Sequence, residues 1–394
     1  MPITWKRRVV FAFVPLLGML ALGELLARGW LYTVAGPEHY PKFAVPSEFP
    51  QAAKYRPHHY LCYVPQPNYH RGMMSHNSLG YRGKEINQPK PPGTLRIVTL
   101  GGSTTYGEFI DRDEATYPAR VEHYLRERTG RGDIEVINAG CPGYNSWESL
   151  GNLQHRVLDL EPDLVIVYHG VNDVHCRLVR PDAYAADNSG RRQHWTPPIE
   201  TRLCRYSCLA RVVGHFVGLW RLPGVDSYVR APTCDPGLSG PSERIGGDPM
   251  RALDRNPPIH FDRNLRSMIG VARAHGIEIV LATWASCPAK GDYIATPHYR
   301  RGVVEANEVI RLVAGERNAP LLELASAMPV DPAFWRDGRH VNAAGADRQG
   351  QLVADFLVER GLVPMPGPSS ATVGERRPDG GRSKAIRRSE PPHP

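Results

Sequence analysis

Residues 96–108 read RIVTLGGSTTYGE. A β-prone run ends in two glycines, then a serine, two threonines and another glycine. Such a stretch has three readings: a phosphate-cradling loop, a plain strand-to-helix turn, or the seat of a nucleophile. A phosphate loop of the form G-x-x-x-x-G-K-[ST] needs a lysine that does not follow Gly107. A dinucleotide fingerprint needs G-x-G-x-x-G, whereas these residues run G-G-S-T-T-Y-G. What remains is a tight turn at a strand's carboxyl end. It places Ser103 at the start of a helix, where amide hydrogens stabilise negative charge. Taken alone, the stretch supports only a turn with a capping serine.

The surrounding pattern gives the turn its context. LRIVTL (95–100), IEVINAG (134–140), DLVIVYHG (163–170), IEIVLATW (277–284) and the short APLLELA (319–325) read as strands. Between them lie amphipathic stretches at 116–130, about 146–159, 261–276, 299–318 and 343–361. Short apolar strands alternating with longer helices predict a parallel sheet covered on both faces. Residues 176–258, rich in Cys, Pro, Gly and Trp, break the alternation and read as an insertion over the sheet's carboxyl edge. Residues 32–94 read as an extended, turn-rich linker packing on the main domain of residues 95–362. Residues 363–394 lack the apolar content to build a core and read as a disordered tail.

Three further strand ends carry polar residues: NAGCPGYNS after IEVI, HGVND after DLVIVY, and DGRHVNAAG near the end. Together with GGST, these blocks resemble the SGNH (GDSL-like) hydrolase superfamily of esterases and lipases. The likeness is to its membrane-anchored bacterial members, in which an apolar N-terminus with Glu and Arg and an N-S-L-G-Y-R-G segment precede the nucleophile block. It covers roughly residues 76–175 and 260–360, and the order and spacing of four blocks make it specific. It implies a three-layer α/β/α sandwich around a mostly five-stranded parallel sheet. It also implies Ser103 as nucleophile, Asp337 and His340 as acid and base, and an oxyanion site built from the Ser103 and Gly143 amides and the Asn172 side chain. Where the family name reflects Gly-Asp-Ser-Leu, this chain has Gly102 in place of the aspartate, which removes no proposed catalytic group.

The chemistry is intelligible from the residue types. A serine hydroxyl is a weak nucleophile unless a base stands beside it. An imidazole titrates near neutrality and serves as that base. A carboxylate three residues away fixes its tautomer and stabilises the imidazolium. Cys141, His169, Asp173 and His175 sit near the same strand ends and read as supporting residues. His58, His59, His70 and His76 show no ligand spacing and read as surface or linker residues. No cofactor and no metal are called for.

The N-terminus sets the location. MPITWKRR precedes a nearly continuous apolar run over residues 9–31, long enough to cross a hydrocarbon core of about 30 Å. Lys6, Arg7 and Arg8 lie just before it, so residues 1–8 read as a cytoplasmic tip and the body as exported, periplasmic or extracellular. The expected site is therefore the bacterial inner membrane, single-pass. Ala21-Leu22-Gly23 offers a rival signal-peptide cleavage site, but the apolar run continues past it. Glu24 and Arg28, four residues apart, share a helix face and either pair or send Arg28 outward.

The net charge is +8 over 394 residues, but the arginines are scattered, which speaks against nucleic-acid binding. Seven cysteines show no C-x-x-C pattern; Cys176, Cys204, Cys208 and Cys234 are candidates to staple the insertion. The leading reading is a membrane-tethered serine hydrolase cleaving O-acyl esters, with envelope glycan esters as the substrate that fits the tether. Two alternatives stand beside it. One is an O-acyltransferase onto a glycan using the same site. The other is a non-catalytic accessory subunit of a membrane complex, contacting its partners through residues 176–258.

Overall fold

The computed structural model describes residues 4–34, 54–188, 206–217 and 247–365. The apolar N-terminal run forms one helix, α1 (Trp5–Gly29), continued by a wide turn over Trp30–Val34. Within it, Phe11–Gly29 are 19 residues of mean hydropathy 1.6 that are almost entirely uncovered by the rest of the chain.

Residues 54–94 are more ordered than a linker. They form two small antiparallel hairpins, β1 (Tyr55–His58) with β2 (Cys62–Pro65) and β3 (His70–Arg71) with β4 (Met74–Ser75). Tyr55, Leu61, Tyr63 and Val64 are buried against Cys141 and Tyr144, so the first hairpin closes a small apolar cluster over a later strand end. Burial of these side chains against the main domain, rather than within the hairpin, is what holds so short a pair together.

The main domain then alternates as the pattern predicts. β5 (Leu95–Gly101) leads into a single helical turn, α2 (Ser103–Tyr106), and then into α3 (Tyr117–Thr129), which Gly130 ends in the left-handed conformation. β6 (Ile134–Gly140) is followed by α4 (Ser146–Asn152), opened by an Asn145–Glu148 capping box. The helix expected to about residue 159 widens after Asn152 into irregular turns. β7 (Leu164–Tyr168) leads into α5 (Val171–Arg177). After α6 (Cys208–Phe216) and α7 (Pro249–Arg255) come α8 (Ile259–Ala274), β8 (Glu278–Ala282), α9 (Pro297–Arg317), β9 (Leu321–Leu322), the short α10 (Leu324–Ala327) and α11 (Ala343–Glu359).

All five main strands are parallel, in the order β6-β5-β7-β8-β9. Every residue of β6 and β7 is buried, as helices on both faces require. α3 packs with α11, and α8 packs with α4 and α9, giving the three-layer sandwich. The register pairs Gly101 with Gly140 on one side and with Tyr168 on the other. The carboxyl ends of three adjacent strands are therefore level, and the segments that leave them share one edge. The core continues to Val363, which is fully buried, so the domain ends slightly later than residue 362; residues 366–394 of the expected tail lie outside the described residues.

Of the insertion, residues 189–205 and 218–246 lie outside the described residues. Residues 206–217 lie against α1, and Cys208 is buried with Ala27 and Leu31. Of the proposed staple, Cys204 and Cys234 lie outside the described residues, while Cys176 sits beside Asn145 and Asn172, in a different part of the molecule from Cys208.

A buried charge locks the amino-terminal edge of the sheet. Arg96, at the start of β5, is wholly buried and pairs with Glu135 of β6 at 2.6 Å. It also donates to the carbonyls of Leu160 and Asn87. Arg96→Ala leaves Glu135 without its cation in a dry site, so stability falls by about 3–5 kcal/mol. The urea midpoint of unfolding reads this, and an unchanged midpoint contradicts it.

Candidate active site

The level strand ends bring the four polar blocks together. Ser103 opens α2 immediately after β5. Gly143 follows β6 in the CPG turn with φ of 82°, a conformation that favours glycine. Asn172 lies in the first turn of α5 after β7. Asp337 and His340 lie in the turn before α11. Ser103, Gly143 and Asn172 are each partly exposed, whereas the His340 ring is buried.

A continuous chain of hydrogen bonds joins three of them. Ser103 Oγ stands 2.8 Å from His340 Nε2, and His340 Nδ1 stands 2.9 Å from Asp337 Oδ2. Asp337 Oδ1 also accepts the backbone N–H groups of His340 at 2.7 Å and of Arg339 at 2.9 Å. The D-x-x-H turn thus holds its carboxylate through its own backbone. Burial pushes the Asp337 carboxyl up, but the hydrogen bond and charge of His340 and the two backbone N–H groups outweigh it. The net shift is downward, so the carboxylate stays ionised. Phe109 lies edge-on to the His340 ring, with centroids 5.2 Å apart.

Asn172 is fixed as well. Its Nδ2 donates to the Tyr144 carbonyl at 2.7 Å, and a primary amide carries a second hydrogen for another acceptor. Gly102 makes room for it: a Cβ at that position would stand 2.5 Å from Asn172 Nδ2 and 3.0 Å from the Tyr144 carbonyl oxygen. Ser103 and Asn172 line one small cleft with Gly102, Gly170 and Trp284. No described residue of the 176–258 insertion lines it. A larger cavity of about 630 Å³ lies elsewhere, between residues 82–86 and α3, and contains neither Ser103 nor His340.

Three of the other polar residues near these strand ends are bonded to neighbouring side chains. His169 Nε2 bonds Ser149 Oγ at 2.7 Å, His175 bonds the Tyr299 and Tyr293 hydroxyls, and Asp173 accepts from Ser146. Among the described residues no His, Cys, Asp and Glu group has the arrangement of a metal site. His76 is a correction: it is buried rather than on the surface, with Nδ1 at 2.9 Å from the Gln66 carbonyl and Nε2 at 2.7 Å from Tyr106 Oη. It sits beneath the turn that begins with Ser103, because Tyr106 is the last residue of α2.

Arg82 was legible only as part of the NSLGYRG segment. Its buried guanidinium donates to the carbonyls of Tyr106, Gly107 and Ile110 and pairs with Asp113 at 2.8 Å. It caps the carboxyl end of the one-turn helix that Ser103 begins. Trp284, at the end of β8, also escaped the sequence reading; its position just past a strand was the available signal.

Three kinds of comparison bear on this arrangement. The family model described as GDSL-like Lipase/Acylhydrolase family matches residues 99–348. Among solved structures, the chain is similar to a lipase/acylhydrolase from Enterococcus faecalis: 18% identity, 68% of this chain and 97% of that one covered, TM-score 0.41. It is similar to a GDSL-like lipase from Bacteroides thetaiotaomicron at 16% identity, with 70% and 93% covered and a TM-score of 0.39. A variant of an acetyl-xylooligosaccharide esterase from Geobacillus gives 16% identity, 68% and 95% covered, and 0.39. Among curated proteins nothing matches.

Burial drives the His76 imidazole down to about 4. Its folded value is below the unfolded one, so between about pH 6.5 and 4 the unfolded chain binds the extra proton and stability is lost as pH falls. From pH 7 to pH 5 this residue costs about 2 kcal/mol of folding stability. Urea unfolding at the two pH values measures the loss, and the His76→Gln protein is expected to show a shallower dependence. An equal slope in both contradicts the assignment.

Proposed function

Because the chain belongs to the GDSL-like lipase/acylhydrolase family and is an ester-cleaving hydrolase, we propose that Ser103, His340 and Asp337 carry out the cleavage. We propose the Ser103 and Gly143 amides and the Asn172 side chain as its oxyanion site. The observation that carries the reading is the unbroken Ser103–His340–Asp337 hydrogen-bond chain at the edge of the sheet where Asn172 and Gly143 also emerge.

In this reading the Ser103 hydroxyl attacks the ester carbonyl carbon while His340 Nε2 takes its proton. The carbonyl oxygen gains negative charge and accepts hydrogen bonds from the three donors. Donors already fixed in place, as Asn172 is by Tyr144, need no reorganisation as that charge develops. Asp337 stabilises the imidazolium through Nδ1–H. The tetrahedral intermediate then expels the alkoxide, which leaves with the proton from His340. Water repeats the sequence on the acyl-serine and frees the acid.

The substrate preference follows from shape and location. Trp284 stands in the wall of the cleft beside Ser103 and Asn172 and narrows it, which favours a short acyl group such as acetyl. α1, with Lys6, Arg7 and Arg8 before its apolar run, favours a single-pass anchor and an exported domain. A tethered enzyme on that side of a membrane fits O-acyl esters of envelope glycans.

The test is hydrolysis of p-nitrophenyl acetate, butyrate and octanoate by the full chain. Acetate and butyrate are expected to turn over faster than octanoate. Ser103→Ala reduces kcat by at least about 10³-fold. Asn172→Ala reduces kcat by about 10²–10³ with little change in KM, because its contribution is made in the transition state. Wild-type kcat in the Ser103→Ala protein sinks the proposal, and fastest turnover of octanoate sinks the short-acyl preference.

A further inference from the structure

α1 carries two charged side chains in its otherwise apolar outer part, and the hydrolytic site uses neither. Both turn to the same place. Glu24 Oε1 accepts the backbone N–H of Cys208 at 2.9 Å. Its Oε2 accepts the N–H of Leu209 at 3.0 Å and the hydroxyl of Ser207 at 2.7 Å. Arg28 donates from Nε to Glu24 and from Nη2 to the Tyr206 carbonyl, each at 2.7 Å. The first N–H groups of α6 lack acceptors within their own helix, and a carboxylate from another helix supplies them.

Packing agrees with the polar contacts. A Cβ on Gly23 would stand 3.0 Å from Leu209 Cδ2, so the side chain of Leu209 lies directly on the glycine. Ala27, Leu31 and Cys208 are buried together, with Leu209 and Val212 around them. Gly23 and Ala27 are small residues four apart, the spacing that lets two helices approach closely in lipid.

The position of this contact along α1 decides what surrounds it. The apolar stretch ends at Gly29, and Glu24 is five residues earlier, about 7–8 Å inside that end at 1.5 Å per residue. α6 therefore begins below the edge of the apolar stretch rather than beyond it. Its Val213, Phe216 and Val217, spaced i, i+3 and i+4, are exposed by 50%, 73% and 62%. Leu22, Leu25 and Leu26 of α1 are exposed at the same level of the helix.

We propose that residues 206–217 are a second membrane-seated element, docked on α1 through Glu24, with Val213, Phe216 and Val217 against phospholipid acyl chains. The proposal rests on the reading of α1 as a bilayer anchor. Two attachment points in place of one restrict how the hydrolase domain turns relative to the membrane, and so favour esters presented close to the bilayer surface. The apolar face suits lipid because it is continuous with an anchor whose own surroundings are lipid. The Glu24 carboxylate is tolerable at that depth because four donors, from Cys208, Leu209, Ser207 and Arg28, surround it.

The full chain in native membranes tests this in two steps. Ala27→Cys combined with Val212→Cys is expected to give a 27–212 cross-link with a short bismaleimide, identified by peptide mass spectrometry. Leu16→Cys with Val212→Cys gives none. Adding Glu24→Ala lowers the 27–212 yield by about tenfold, because charge-assisted bonds hold α6 in place. A lipid-soluble aryl diazirine is expected to label the peptide spanning 213–217 as well as α1. Release of the chain by alkaline carbonate would refute the anchor reading itself and the lipid contact with it. A chain that stays in the membrane but gives no 27–212 cross-link, or takes diazirine label on α1 alone, overturns the docking proposal and leaves the anchor standing.

Discussion

The one-turn helix that begins with Ser103 lies across the end of the sheet, and it does so only because no side chain projects from the neighbouring strand end. A Cβ on Gly140 would overlap the backbone nitrogen of Tyr106 and stand 2.8 Å from the carbonyl carbon of Thr105. Both obstacles are backbone atoms of the turn, which cannot swing aside as a side-chain tip does. The close approach brings the Ser103 segment down onto the β6 end, where the CPG turn leaves. The approach of the Ser103 turn to the β6 end thus depends on a missing carbon atom, and Gly102 leaves the matching space for Asn172.

A turn held by packing alone would be free to rotate, and the strap before the domain prevents this. Arg82 accounts for the carbonyls at the carboxyl end of α2, while His76 bonds the hydroxyl of Tyr106. Each comes from the stretch between α1 and the first main strand. The strap therefore holds the turn that begins with Ser103 through buried polar groups. Buried polar networks of this kind fix a geometry when every member finds a partner. The same logic recurs at Asp337, whose carboxylate is held by the N–H groups of the two residues that lead to and include His340.

The alternating strand and helix pattern made the sheet legible, because buried parallel strands must be short, apolar and separated by helices. The level ends of β5 and β6 are marked in it by glycines at paired positions, Gly101 and Gly140, whereas the paired residue of β7 is Tyr168. The roles of Ser103, Gly143, Asn172, Asp337 and His340 came from the resemblance rather than from periodicity, and each stands as a proposed role. Other features were illegible for physical reasons. His76 carries no spacing signal, since its partners, the Gln66 carbonyl and Tyr106 hydroxyl, are respectively a backbone atom and a residue 30 positions away. Residues 54–94 looked like a linker because two-residue strands, such as β3 and β4, leave no periodicity to read. The meeting of Glu24 with α6 joins residues more than 180 positions apart, which no local pattern reveals.

The central claim is that Ser103 is a nucleophile made reactive by His340. Mass spectrometry of the intact full-length chain after brief exposure to a fluorophosphonate tests it most directly, since an activated serine takes up the phosphonyl group and ordinary serines do not. A single adduct on the peptide containing Ser103, strongly slowed in the His340→Gln chain, is the predicted result. An unmodified chain, or an adduct on another serine at equal rate in both proteins, would contradict it.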